Sequence, residues 1–125
     1  MWRNWRRSAL VWVAATAACG PLYHGGAPDS VVLFNNQSLN QANVYAVRTG
    51  GPEIRIGSVI ANRREALRVP SSLTSAGSDV TIVARMIASN RTPRSGPIPL
   101  APGDTIEVTL AIDERMLTVL PPRNP

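Results

Sequence analysis

The 125-residue chain has no lysine, since all 13 of its basic residues are arginine, against eight acidic residues. It has one cysteine, Cys19, and one histidine, His24. An internal disulfide is therefore excluded, and a zinc site lacks the several Cys, His or carboxylate ligands that it needs. His24 lies among Gly and Pro residues, where no rigid scaffold would orient it for a hydrolase triad. We therefore predict no catalytic residue, no metal and no cofactor.

Glycine patterns that bind phosphates are also missing: Gly50-Gly51-Pro52 is typical of a hairpin turn, not of a P-loop or a dinucleotide site. The adjacent Asp113-Glu114 is interpreted as a pair of solvated turn charges. One enzymatic alternative stays open, an envelope hydrolase or accessory subunit that acts through carboxylates alone. It requires two acids to converge in one cleft, and the candidates are Asp104, Glu107, Asp113 and Glu114.

The N-terminal segment has the layout of a secretory signal peptide. Arg3, Arg6 and Arg7 precede an uncharged stretch, residues 8–18, that ends in small residues. Gly20-Pro21 would break a helix before it reached the roughly 20 apolar residues needed to span a membrane. We assign residues 1–18 to the signal. Its removal takes away every tryptophan and leaves 10 Arg against eight acids, which argues against nucleic-acid binding.

The end of this segment, Thr16-Ala17-Ala18-Cys19, resembles the lipobox of bacterial lipoproteins, with Thr16 where Leu is usual. The resemblance implies lipid attachment at Cys19, which would also explain a lone cysteine in an exported protein. Gly20 is not the usual inner-membrane retention residue, so the resemblance favours a cell-envelope protein held in an outer membrane. The alternative is cleavage after Ala17 at an A-x-A site, which would release a soluble periplasmic or secreted protein.

The rest of the chain predicts one domain. Residues 19–29 are rich in Gly and Pro and are interpreted as a flexible, lipidated tether. Residues 30–120 contain seven alternating apolar and polar segments at roughly ten-residue spacing, and residues 121–125 form a non-helical tail. The fold class is therefore all-β, an antiparallel β-sandwich of immunoglobulin-like or transthyretin-like size, with a small β-barrel as the alternative. The inward positions of the seven segments predict a core of Val32, Phe34, Val44, Ala46, Ile54, Ile56, Leu67, Val69, Val80, Ile82, Ala84, Met86, Ile106, Val108, Leu110, Leu117 and Val119.

Two arginine pairs are candidates for binding an anionic partner. Arg91 and Arg94 lie in a proline-rich segment, residues 90–104, that is long enough for a functional loop. Arg63 and Arg64 lie in a turn. Each pair could contact lipid head groups or an anionic glycan, or could simply keep the protein soluble in a chain without lysine. The sequence thus predicts a non-catalytic binding or structural module, attached to a membrane through Cys19, that could also pair with an envelope protein through a sheet edge.

Overall fold

The computed structural model describes residues 27–75 and 77–120. The predicted signal peptide, Cys19, most of the tether and the tail at 121–125 lie outside these residues. The described chain forms eight strands and one short helix: β1 (Ser30–Asn36), β2 (Ala42–Arg48), β3 (Glu53–Val59), β4 (Arg64–Val69), α1 (Ser71–Thr74), β5 (Val80–Met86), β6 (Arg94–Ile98), β7 (Thr105–Leu110) and β8 (Leu117–Leu120).

The strands form two four-stranded sheets, β4-β1-β7-β8 and β3-β2-β5-β6, packed face to face. All pairs are antiparallel except β1 with β7, which run parallel with Val32 opposite Ile106. The predicted all-β sandwich is therefore confirmed, with one mixed sheet. Within the described residues the two sheets do not close into a barrel.

Alternation along the strands directs one set of side chains between the sheets. Phe34, Ile82 and Ile106 are among the largest side chains that are completely buried there. Fourteen of the 17 predicted core residues are buried, and Ile54, Ile56 and Val119 are partly buried against that core. β3 and β8 are edge strands, so these three side chains have a packed neighbouring strand on one side only. The core also takes in residues outside the predicted set, Ala42, Val59, Leu73, Ile98 and Leu100.

The chain enters the sandwich at the end that carries α1. Asp29 Oδ1 accepts a hydrogen bond from the Ser71 backbone N–H at 3.1 Å. A Cβ on Gly103 would lie 3.2 Å from Cγ of Pro28, so this segment packs closely against the β6–β7 connection. Because β1 runs away from this point for seven residues, the opposite end of the sandwich lies about 23 Å further on.

Candidate functional site

The candidate site is that opposite end, which we call the loop end. Four connections meet there because β1, β3, β5 and β7 all finish at this end and the next strand starts from it. The loop end comprises the β1–β2 loop (37–41), the β3–β4 turn (60–63), the β5–β6 loop (87–93) and the β7–β8 turn (111–116).

Backbone hydrogen bonds tie three of these connections to their surroundings. The Asn36 N–H of β1 donates to the Arg63 carbonyl at 2.9 Å, and the Gln37 N–H donates to the Leu110 carbonyl of β7 at 3.1 Å. The Ile87 N–H donates to the Gln41 carbonyl at 3.1 Å. The β1–β2 and β5–β6 loops are therefore bonded directly to each other, and the β3–β4 turn is bonded to β1.

A fully buried amide, Asn36, lies beneath this surface. Its Nδ2 donates to the Asn40 carbonyl at 2.8 Å and to the Val59 carbonyl at 3.0 Å. Its Oδ1 accepts from the Ser38 N–H at 2.9 Å and from the Ser38 hydroxyl at 2.7 Å. Both donors and both acceptor positions of the amide are thus used. Asn36 fixes the β1–β2 loop and joins the two sheets, since Val59 ends β3.

Glu114 is also buried at the loop end, and it corrects the expectation of a solvated turn charge because only 7% of it is exposed. Its carboxylate accepts hydrogen bonds from Asn40 Nδ2 and, at 2.9 Å, from the Ser89 hydroxyl. Its φ of 62° lies in the left-handed region, where a residue with a Cβ is uncommon. In this conformation the carboxylate meets Asn40 of the β1–β2 loop and Ser89 of the β5–β6 loop.

Large aliphatic side chains project from the loop end. The described residues include six exposed large hydrophobic residues, and five of them belong to these four connections. We call these five the crown: Leu39 (71% exposed), Ile60 (56%), Ile87 (58%), Ile112 (68%) and Met116 (60%). Turn positions favour Gly, Pro, Asn, Asp and Ser, so the turns themselves do not require Ile or Leu. The crown is therefore an unusual concentration of apolar surface.

Charged side chains surround the crown unequally. Arg63, Arg91 and Arg115 are exposed on three of the four connections. Asp113 is exposed too, with its Oδ1 accepting from the Arg115 backbone N–H at 3.0 Å. An open depression of about 280 Å³ lies at this rim, lined by Arg91, Thr92, Pro93, Glu114 and Arg115. The rim is thus basic overall, and two of its arginines line the depression.

The four arginines singled out from the sequence do not share one face. Arg64 lies on the outer face of the β4-β1-β7-β8 sheet, with its Nη2 3.7 Å from Oε1 of Glu107. Arg94 lies on the outer face of the other sheet, with its Nη2 3.7 Å from Oε2 of Glu53. Only Arg63 and Arg91 of the four belong to the connections of the loop end. The structure therefore places the two predicted pairs in three separate surroundings.

The four carboxylates of the enzymatic alternative are also separated. Asp104 caps a turn at the chain-entry end, where its Oδ2 accepts from the Ala101 N–H at 2.9 Å. Glu107 lies on an outer face, whereas Asp113 and Glu114 lie at the loop end, beyond the full length of β7. In the part of the chain that the structure describes, no three His, Cys, Asp or Glu side chains are grouped to hold a metal ion. That part also contains no helix of the length and apolarity needed to span a membrane.

A second open depression, of about 330 Å³, lies at the chain-entry end between α1 and the β6–β7 connection. Asp79 is the one charged residue among those that line it. None of the residues that line this depression is an exposed large hydrophobic residue.

Comparisons with known proteins show the fold alone. No family model and no curated protein matches the chain. Among solved structures, the NMR structure of a protein from Eubacterium rectale is similar with a TM-score of 0.51 at 8% identity, over 79% of this chain and 95% of that one. A crystal structure from Bacteroides ovatus, provisionally described as a cell adhesion protein, gives a TM-score of 0.38 at 12% identity; 91% of this chain spans 47% of that one.

Sequence reasoning missed the crown, although a signal for it was present. Ile60, Ile87 and Ile112 stand beside or within polar turn segments, outside the alternation that builds the core. An aliphatic residue in such a position in each of several connections predicts a shared surface only when the connections lie at the same end of the fold. That arrangement depends on strand order, which the local pattern does not contain.

Proposed function

We propose that this protein is a non-catalytic binding module of the cell envelope, held by lipid at Cys19, and that the loop end is its binding surface. The observation that carries the proposal is the crown: four different connections each place an aliphatic side chain in solvent at the same end of the sandwich. Soluble domains rarely expose large apolar surfaces, and those that do commonly use them as interaction sites.

The loop end is built to hold the crown in place before binding. The buried Asn36 amide and the Glu114 carboxylate fix the β1–β2, β5–β6 and β7–β8 connections through side-chain hydrogen bonds. A surface that is already ordered loses less conformational entropy when a partner binds. The hydrogen bonds of these buried groups order the loop end before a partner arrives, and this supports a binding role for it.

The position of the chain entry keeps the point of lipid attachment away from the binding surface. Residues 27–29 meet the sandwich at the end opposite the crown. A lipid on Cys19 would attach the module by that end, with several acyl chains giving stable attachment where one is marginal. Outer-membrane attachment is the destination that we propose, with release after cleavage behind Ala17 as the alternative.

The anchor is tested by intact mass of the protein extracted from membranes, beside a Cys19→Ala variant. We expect a chain that begins at Cys19 and carries diacylglycerol and an acylated amino terminus, and we expect Cys19→Ala to carry neither modification. An unlipidated chain that begins at Ala18 would contradict the anchor.

The binding surface is tested by a photo-crosslinking amino acid placed in the full chain in cells. One variant carries the crosslinker at Leu39 in the crown, and the matched control carries it at Ser72, which is exposed on α1 at the other end. We expect adducts with protein or lipid from position 39 and few from position 72. Equal yields at the two positions, or none at 39, would contradict a binding role for the loop end.

A further inference from the structure

The exposed charges at the loop end are complementary to an anionic partner. Arg63, Arg91 and Arg115 all present their side chains to solvent on the connections that carry the crown. Of the two acids there, Glu114 is buried and its carboxylate already accepts two hydrogen bonds. Asp113 is therefore the one exposed acid among the described residues of these four connections. Guanidinium groups bind phosphate oxygens in a bidentate geometry, which suits a phosphate-bearing surface.

The shape of the crown favours a lipid surface over a folded protein as the partner. Its side chains project from separate connections, and the depression at this end is lined by polar and charged residues and Pro93, not by the crown. A folded partner would need a matching pocket for each projecting side chain, and protein interfaces favour Trp, Tyr and Arg at such anchors. None of the five crown residues is aromatic. Fluid acyl chains, by contrast, accommodate aliphatic side chains one at a time.

We infer that the crown docks on a lipid leaflet with anionic head groups, inserting its aliphatic side chains while the neighbouring arginines contact lipid phosphates. This inference rests on the proposed function, because it names what the binding module binds. It differs from an arginine-only polyanion site, since Arg64 and Arg94 are ion-paired on opposite outer faces and take no part.

The length of chain before the sandwich limits how the crown can reach the leaflet that would hold Cys19. With the crown on that leaflet, the chain-entry end stands about 23 Å or more above it, given the seven residues of β1. Residues 27–29 meet the sandwich at that end, so seven residues remain, from Gly20 to Gly26, and they span at most about 23–25 Å when extended. The lipid and the crown can therefore hold the same leaflet only with this segment almost fully extended, and two such attachments bind more firmly than either alone.

The test uses the mature chain, residues 19–125, with Cys19→Ala, mixed with vesicles of phosphatidylcholine with or without 30% phosphatidylglycerol (~0.3 mole fraction of anionic lipid). A single cysteine, Ile112→Cys, carries an environment-sensitive fluorophore, and Ser72→Cys is the matched control at the other end. Nitroxide groups on the lipid acyl chains quench a fluorophore that enters the membrane, whereas aqueous iodide quenches one that remains in water.

We expect the label at 112 to be quenched by the lipid nitroxides in anionic vesicles and the label at 72 to be quenched by iodide. Each of the substitutions Ile60→Asn and Ile87→Asn should lower the ratio of docked to undocked protein by about 5- to 30-fold. Replacing Arg63 and Arg115 with Gln should remove the preference for anionic vesicles, and added salt should weaken it.

The inference is overturned if iodide reaches the label at 112 equally with and without anionic vesicles, or if both labels enter the lipid alike. It is also overturned if the label at 112 is shielded only after envelope proteins are added. In that last case a protein covers the crown. The proposed binding role of the loop end would then stand, but its partner would be a protein and not a lipid leaflet. A failure of lipidation leaves this experiment unaffected, because every variant carries Cys19→Ala.

Discussion

Replacing Glu114 with alanine should destabilise the domain by about 2–4 kcal/mol. Hydrogen bonds to a charged group contribute roughly 1.5–3 kcal/mol each, and Glu114 accepts two, from Asn40 and Ser89. Both partners are only partly buried, so water replaces part of what is lost. Alanine also keeps a Cβ at a backbone position with φ of 62°, so the substitution relieves none of the conformational cost there.

Two matched variants separate the contributions of the carboxylate and the backbone. Glu114→Gln keeps the shape, since its amide can accept from Ser89 and donate to a reoriented Asn40 side chain, and we expect a loss below about 1 kcal/mol. Glu114→Gly loses both hydrogen bonds but relieves the left-handed conformation, so it should be more stable than alanine by about 1 kcal/mol.

Urea denaturation measures this order directly. With a slope of about 2 kcal/mol per molar, alanine should lower the midpoint by roughly 1–2 M at unchanged slope. The expected order of stability is Glu, Gln, Gly, Ala. If Gln were as damaging as Ala, the hydrogen bonds would not be what stabilises the turn. If Gly were less stable than Ala, the backbone argument would be refuted.

Three further changes test the core, the buried amide and the outer face. Phe34→Ala, at a completely buried position, should cost about 3–5 kcal/mol by urea denaturation, and Phe34→Leu clearly less; equal losses would contradict close packing. Asn36→Asp keeps the shape of the side chain but removes the two N–H donors to the Asn40 and Val59 carbonyls. We expect a loss of stability of at least about 2 kcal/mol. An unchanged urea midpoint would refute the role of the amide. Arg85→Ala removes an exposed ion pair with Glu53 and a cation–π contact in which the guanidinium carbon lies 5.2 Å from the Tyr45 ring centroid. The expected loss of stability in the same assay is below about 1 kcal/mol. A larger loss would contradict the view that these contacts on the outer face add little to stability.

The sandwich could be predicted from the sequence because the alternation of apolar and polar residues can be seen within each strand segment. Along β5 and β7 every second residue is apolar and buried, as are Val32 and Phe34 in β1, and that period fixes both the strand and its inward face. The parallel pairing of β1 with β7 was not predictable in this way, because about 70 residues separate Val32 from its partner Ile106. Pairing at that distance depends on how the whole chain packs.

The missed strand β6 shows where composition misleads. Its sequence, RSGPI, contains Gly96 with φ of 78° and Pro97, which together indicate a loop. β6 is nevertheless stable as a strand because it lies at the edge of its sheet, where proline is tolerated. Whether a strand lies at an edge depends on sheet order, which the local sequence does not determine.

The buried position of Glu114 was predicted wrongly for a related reason, and that of Asn36 was not predicted. The stretch around Asn36 and Ser38 has the composition of an exposed polar turn, and Glu114 has that of a solvated hairpin charge. Both are buried because residues distant in the chain, Val59 for Asn36 and Asn40 for Glu114, supply their hydrogen-bond partners. Turn chemistry predicted that the chain reverses here but not that these side chains point inward.

The most direct test of a binding role for the loop end is the solvent accessibility of the crown in the intact envelope. Ile112→Cys and Ser72→Cys are each treated with a membrane-impermeant maleimide, in envelope preparations and after purification in detergent, with Cys19 blocked by its lipid. If the loop end is the binding surface, the thiol at 112 is protected in the envelope and reactive once purified, while the thiol at 72 reacts in both. Equal reactivity at 112 in the two preparations would contradict the account.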